Sequence, residues 1–281
     1  MAISNIPSWI GSSAVNETGE RWMSAARTKM RLPAPGWLSE LAGRSNEIVV
    51  TITASNHNFD TGQLHNLMLS AAGGSWPASA NWKIVVNPGV QLVGKDTGNC
   101  MWFGGAINGT VVIENHGHIL GRGGAGGPVT CGSDSCSQNG GVGGTAIYRE
   151  SKITLDIRNY GIISGGGGGG GAGYTFSSAG GGRHYGMGGG GGAPFGAAGY
   201  VSGPNHPRPG GGGSYEGGAG GGSGGDRGEA HGGGGGGWAA AGGNAWGNNR
   251  MNRSGGGPGA AIGGGGPINW TSRGDIRGAV T

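Results

Sequence analysis

Several stretches carry residue types that could do chemistry, and each lacks a partner that the chemistry needs. GVQLVGKD (89–96) has the glycine and lysine spacing of a phosphate-cradling G-x4-G-K-[ST] loop, whose hydroxyl holds Mg2+. Asp96 stands where the hydroxyl belongs and would repel phosphate, and no helix pattern follows. His116 and His118 are two apart, which would place both on one strand face as a metal pair, but no third ligand lies near them. Glu216, Asp226 and Glu229 are the residue types of a glycan-cleaving acid pair. Short polar segments between glycine runs cannot easily bury a carboxyl and raise its pKa. One RGG (122–124) falls far short of an RNA-binding tract, and matches to GxGxxG are inevitable among 76 glycines. The sequence therefore reads as a non-enzyme without metal, cofactor or nucleic acid. CGSDSC brings Cys131 and Cys136 close enough to pair in oxidising surroundings, with two free thiols as the alternative.

What remains is recognition chemistry. PVTCGSDSCSQN (128–139), YTFSSAGGGRHY (174–185), APFGAAGYVSGPNHPRP (193–209), SYE (214–216), DRGEAH (226–231) and WAAAGGNAWGNNRMNRS (238–254) separate the glycine runs. They combine rigid aromatics with adaptable polar groups, the composition of binding loops. Loops on a rigid scaffold are the usual place for recognition. The candidates are Tyr174, Phe176, His184, Tyr185, Phe195, Tyr200, His206, Arg208, Tyr215, Trp238, Trp246, Arg250, Met251 and Arg253.

The elements that must position these loops are unusual. Gly165–Gly173 contains eight glycines and one alanine, and GMGGGGG (186–192), GGAGGGSGG (217–225), GGGGGG (232–237) and GGGG (263–266) follow. Only 14 glycines precede residue 121, and 62 fall within 121–281. Collagen is excluded because glycine does not recur at every third position with proline between. Strands are disfavoured because glycine offers nothing to pack on a pleated face. Total charge is low, 11% of residues, which argues against solvated disorder. The remaining option is left-handed, three-residue-per-turn helices packed side by side, satisfying each other's N–H and C=O groups where no side chain holds them apart. Nine residues would span roughly 28 Å.

The first 120 residues are conventional. Asn16 can cap a helix over about 17–31, with Trp22, Ala26 and Met30 as its apolar stripe and Pro33 as its stop. PGWLSELAG suggests a shorter helix, and EIVVTITAS (47–55), WKIVV (82–86) and TVVI (110–113) read as strands. IVVNPGVQLVG (84–94), VIENHGHILGRGG (112–124) and LDIRNYGIISGGG (155–167) share one pattern: apolar residues, Asn, a glycine turn, then a short apolar piece. Stacked strand–turn–strand rungs would look like this. The fold class is thus two-part: a small mixed α/β domain with β-helix-like rungs (1–120), then a glycine-helix domain with loops (121–281). Six tryptophans in the first part exceed what a small core needs, and Trp9 in NIPSWIG is the best candidate for an interface. Net charge is +4. The N-terminus lacks a basic region followed by an apolar run, and no stretch approaches the ~20 apolar residues of a membrane span. A soluble protein made in a cytoplasm is expected.

The alternating glycine-rich motifs and variable loops from Gly121 to Gly266, the closing GGGGPINWTSRGDIRG (263–278) and the N-terminal MAISNIPSWIGSS together carry a resemblance. The chain resembles the receptor-recognising adhesins at the tip of the long tail fibre of T-even-like bacteriophages, most closely those of Salmonella phages. The resemblance spans the whole chain. It implies a polyglycine-II sandwich, placement in the virion, and an N-terminal domain that docks one copy on the trimeric distal fibre subunit. It also implies distal loops that bind an outer-membrane porin, lipopolysaccharide or another surface glycan. Trp9, Ile10, Trp22, Met30 and Trp37 are the attachment candidates. A fibre-assembly chaperone or a purely structural or ice-binding glycine-helix bundle are the alternatives.

Overall fold

The computed structural model describes residues 3, 10–33, 35–42, 46–77, 80–131, 136–177, 183–204, 206–223, 230–247 and 253–281. A small helical unit comes first: α1 (Ile10–Thr18), α2 (Met23–Lys29) and a 3-10 turn over Leu38–Leu41. The sequence suggests one helix over 17–31, but the chain breaks there. Gly19 takes a left-handed φ of 73° and its N–H reaches Val15 O at 2.7 Å, ending α1 as a C-terminal glycine does. Trp22 then sits at the start of α2, 78% exposed, rather than heading an apolar stripe. Ala26 and Met30 keep the buried positions, with Ile3, Ala14 and Leu41. Arg27 is buried and braces this unit, donating to Pro33 O, Trp37 O and the Glu40 carboxylate.

The strand–Asn–turn–strand pattern builds a three-sided prism of parallel sheets. β1 (Glu47–Ile52), β3 (Asn81–Val86), β6 (Gly109–Asn115), β9 (Ile153–Asn159) and β17 (Ile268–Ser272) pair in that order on one side. β2 (Asn56–Phe59), β4 (Gln91–Gly94), β7 (His118–Leu120), β10 (Ile162–Ser164) and β18 (Asp275–Arg277) form the second. β5 (Asn99–Phe103), β8 (Thr145–Arg149) and β16 (Ile262–Gly264) form the third. Alternate residues of every rung point inward, so Ile84, Val86, Leu92, Met101, Ile113, Ile119, Ile147, Ile157 and Ile163 share one core. α3 (Thr61–Ala71), capped by Asp60 Oδ1 on Gln63 N, adds Leu64 and Met68 to it.

Asparagine turns the corner between the first two sheets by satisfying groups that the turn leaves over. Asn115 is fully buried, its Oδ1 accepts Gly117 N–H, and its Nδ2 donates to Asn159 Oδ1 at 2.7 Å. Asn159 repeats the device one rung on, donating to Arg273 O and Asp275 O. Stacked amides of this kind fix the register of the rungs, because a one-residue slip would bury unpaired dipoles.

Residue 120 marks a change in composition but no break in the core. β8, β9 and β10 and the closing strands β16–β18 complete the sheets that β1–β7 begin. Backbone pairing ignores side-chain composition, so glycine content is a poor guide to where this core stops. The glycine segments are two insertions between the second and third sheets, after β7 and after β10. GGGG (263–266) is not one of the runs: it belongs to β16 and the turn after it, where Gly264 has φ 111°.

The runs themselves form a bundle of ten extended segments among the described residues. Runs 121–127, 165–172, 196–199, 217–222 and 240–244 lead away from the prism, and 140–144, 188–193, 210–213, 232–237 and 253–260 return. Their hydrogen bonds step by three residues. Gly121, Gly124 and Gly127 donate to Ser164, Gly167 and Gly170, all at 2.8–2.9 Å. Gly166, Gly169 and Ala172 donate to Gly144, Gly141 and Gln138. Run 165–172 is central, bonded laterally to runs 121–127, 140–144, 188–193, 232–237, 240–244 and 253–260. A segment with six neighbours has no free direction for a side chain. A Cβ on Gly166, Gly168, Gly169, Gly170 or Gly171 would fall on a carbonyl oxygen of the next run. Peripheral runs do carry side chains, such as Arg122, Ala125 and the exposed Val142.

Candidate functional site

Because the runs alternate in direction, every loop belongs to one of two ends. Loops 128–139, 173–187, 200–209, 223–231 and 245–252 close the end farthest from the prism, and the turns near 194, 215 and 238 close the near end. The sequence segments 193–209 and 238–254, each taken as one loop, span both ends. Four glycine-run residues, 196–199, carry the chain the full length of the bundle between Phe195 and Tyr200.

The far end is knit by short strands. β11 (Gly173–Ser177) and β12 (Arg183–Met187) make a hairpin, and β13 (His206–Arg208) joins β12 in parallel. β14 (Ala230–His231) pairs with β15 (Trp246–Gly247), and both lie against β11. Val129, bridged to Val201 and Ser137, packs with Ala172 and Tyr174 beneath them. Tyr174 is therefore a buried anchor, 6% exposed, not a contact residue. Tyr185 stacks on His206 at 4.7 Å and Trp246 on His231 at 4.2 Å, each nearly parallel. Tyr200 and Trp246 are each 59% exposed, and Arg208 on β13 is exposed as well. Arg253 reaches Ser137 Oγ at 3.4 Å. Phe176 and His184 are register partners across the hairpin, while Arg250 and Met251 lie outside the described residues, as do Asp226 and Glu229. His231 was not among the sequence candidates. Its only signal is its position, last before a glycine run and therefore at a loop base.

Cys131 and Cys136 are joined in a disulfide, Cα–Cα 5.5 Å, which closes loop 128–139; the pairing left open by the sequence is thus made. Cys100 is fully buried and burial pushes its thiol up to about 12. A thiol reagent at neutral pH is therefore expected to titrate no cysteine in the native protein, one in denaturant, and three after reduction. A reactive pair in the native state would contradict the disulfide.

The near end places three sequence candidates in a different role. Phe195, Tyr215 and Trp238 pack together, with Tyr215 to Trp238 edge-on at 5.3 Å. They meet His57, His118 and Arg277 from the prism: His57 lies 5.0 Å from Phe195, and the Arg277 guanidinium 5.1 Å over the Trp238 ring. Trp238 Nε1 donates to Tyr215 O at 2.5 Å. Burial, then the charge of Glu216, pushes the Tyr215 hydroxyl up to about 12, so it stays protonated and donates to His118 Nδ1 at 2.6 Å. Burial and then Arg277 lower the His118 pKa, holding the imidazole neutral as acceptor. These rings join the free turns of the bundle to the sheets. His116, expected on the same strand face as His118, instead sits in the turn, bonded to Glu114 and stacked on Tyr160.

Of the attachment candidates, Ile10 and Met30 serve the small helical core, and Trp9 lies outside the described residues. Trp22 and Trp37 remain, each 78% exposed, with Met23 and Leu38 exposed next to them in sequence.

Comparison with known proteins decides what this architecture belongs to. The model of the phage tail fibre adhesin Gp38 family matches residues 47–281, and that of the Gp38 N-terminal domain matches residues 1–42. The chain belongs to the phage tail fibre adhesin Gp38 family. The receptor-recognizing protein gp38 of Salmonella phage S16 is 36% identical over 188 residues, which is 63% of this chain and 68% of that relative. The crystal structure of the gp37–gp38 adhesin tip complex of the bacteriophage S16 long tail fibre contains a similar chain. It matches with a TM-score of 0.65 and 28% identity over the whole of both chains. The two family segments meet where the helical unit gives way to β1, which separates residues 1–42 from the prism and bundle more cleanly than the composition change at 120. Adhesion from a tail fibre is the function of this family.

Proposed function

We propose that the protein sits at the tip of a long tail fibre, held there by residues 1–42, and recognises a bacterial outer-membrane receptor with the far end of its bundle. The carrying observation is the parity of the glycine runs. It collects five loops from across 125 residues onto one face, 128 to 252, and sends every other turn back to the prism. The bundle we read as a polyglycine-II sandwich; the three-residue step of its lateral hydrogen bonds supports that geometry. Such a scaffold is rigid without side chains, so loop sequence can change while the frame stays the same. A porin loop or a surface glycan is the receptor class this face suits. Synthesis in the host cytoplasm and incorporation as one copy per fibre trimer complete the reading. The relative in the S16 tip complex is assembled with gp37, and the corresponding partner here is a trimeric distal fibre subunit.

The attachment half has its own test. Two tryptophans exposed to 78% within residues 1–42 are costly unless a partner covers them. Trp22→Ala with Trp37→Ala is expected to abolish co-purification with the fibre subunit while the far end still binds cells as free protein. Retention of fibre binding at the original strength would place attachment elsewhere.

A further inference from the structure

Resting on the reading that residues 1–42 attach the chain to the fibre, we propose that the first rung of the prism is a second contact with the distal fibre subunit, which adds an extended segment to the edge of β1. Parallel pairing uses one side of β1 only. Ile52 O accepts Asn87 N–H at 3.1 Å, so Ile48, Val50 and Ile52 turn their backbone groups toward β3, while those of Val49 and Thr51 point outward. Among the described residues no strand pairs with that outward side. Val49 is 47% exposed and Thr51 is exposed too. EIVVTI carries one charge at its first residue, no proline and an unbroken register with β3, so the usual guards against strand addition are missing. The last rung differs. Residues 279–281 lie along β16, with Ala261 N–H donating to Ala279 O at 2.9 Å and Thr281 N–H to Ile262 O at 3.0 Å. β17 is bulged after Trp270, and the Arg273 guanidinium lies 5.2 Å over that ring. One end of the prism is thus closed by its own chain, and the other presents a strand edge.

A cavity of about 510 Å3 adjoins this edge, between the turn at 53–55 and α3. Ile52, Phe59 and the 40%-exposed Leu67 line it, with the amides of Gln63 and Asn66. Strand addition draws affinity from main-chain hydrogen bonds and specificity from pockets that take alternate side chains, and the edge and cavity supply both. The occupant follows from position. Glu17 Oε1 in α1 accepts Asn46 N–H at 2.9 Å, directly before β1, so the attachment unit is bonded at the start of this edge. A fibre subunit held by that unit lies beside β1.

The test uses the full chain and the trimeric distal fibre subunit. Hydrogen exchange is expected to show the Val49 and Thr51 amides unprotected in the free chain and slowed tenfold or more in the complex, with Val50 and Ile52 protected in both. Protection of Val49 and Thr51 in the free chain, or none in the complex, would overturn the proposal. Thr51→Pro removes an outward N–H and leaves the ladder to β3 intact, and Val49→Lys places a charge on the edge. Each is expected to weaken fibre binding tenfold or more; Val49→Lys, at an exposed side chain, should do so without a change in melting. If Trp22→Ala with Trp37→Ala lowers fibre binding and the β1 variants do not, attachment by residues 1–42 stands and the edge contact falls. If only the β1 variants lower it, the edge contact stands and attachment by the tryptophans falls. Unchanged fibre binding with a concentration-dependent dimer that Val49→Lys dissolves would assign the edge to a second copy of this chain and overturn the proposal.

Discussion

Gly168→Val is expected to leave the glycine bundle unassembled. Gly168 lies in the run with six neighbours, and a Cβ built there falls on the carbonyl oxygen of Gly256. To admit valine, run 253–260 must move outward. The bonds from Gly256 to Gly169 and Gly259 to Gly166, at 2.7 and 2.8 Å, would then be lost, leaving buried carbonyls unpaired. Each orphaned group costs about 1–3 kcal/mol, so a few of them equal much of the ~5–15 kcal/mol stability of an ordinary domain. Gly257→Ala and Gly220→Ala supply the control. Nothing lies within 4 Å of a Cβ at either position, and reduced freedom of the unfolded chain should stabilise each by about 0.4–1 kcal/mol. Melting followed by calorimetry and limited proteolysis of residues 121–260 should therefore separate the variants sharply. If Gly168→Val melts with the parent, close lateral approach is not what the central run requires.

The sequence displays the rungs and the bundle for one physical reason: both are repeats with side-chain rules. Asn115 and Asn159, each followed by a glycine turn, mark the corners because only a short amide reaches both its own turn and the next rung. Glycine runs mark the bundle because close approach tolerates nothing else. The ends of the bundle are not legible in the same way. Which end a loop occupies depends on how many runs precede it, so Phe195 and Tyr200, five residues apart, finish at opposite ends. Aromatic content alone therefore could not distinguish Trp238, which holds bundle to prism, from Trp246, which is exposed beyond it. The break at Gly19 was hidden because Trp22, Ala26 and Met30 keep helical spacing just after it, and that spacing does not mark where the second helix begins. The rung pattern at 155–167 signalled that the core continues past residue 120, whereas closing strands β16–β18, distant in sequence from the rungs they complete, left no such local pattern.

Trp246→Ala and Trp238→Ala are accordingly expected to fail in opposite ways. Trp246 is 59% exposed and stacks on the His231 imidazole, so its removal should leave melting within about 0.5 kcal/mol of the parent. If it anchors the receptor, its loss costs about 2 kcal/mol of binding, roughly thirtyfold in affinity, and adsorption falls accordingly. Tyr200→Ala, equally exposed on another far-end loop, should behave alike. Trp238 is half-buried between Tyr215, His118 and Arg277. Truncating it removes packing against both halves and the bond to Tyr215 O, a loss of about 2 kcal/mol or more, which lowers Tm by roughly 4–8 °C. Receptor affinity of the protein that remains folded should be unchanged, because run 240–244 separates Trp238 from the far-end face. Exchanging loops 128–139, 173–187, 200–209, 223–231 and 245–252 together with those of a relative of different host should transfer host range, while exchanging the turns near 194, 215 and 238 should not. Adsorption that follows Trp238 and ignores Trp246 would reverse the two ends and with them the orientation of the adhesin on its fibre.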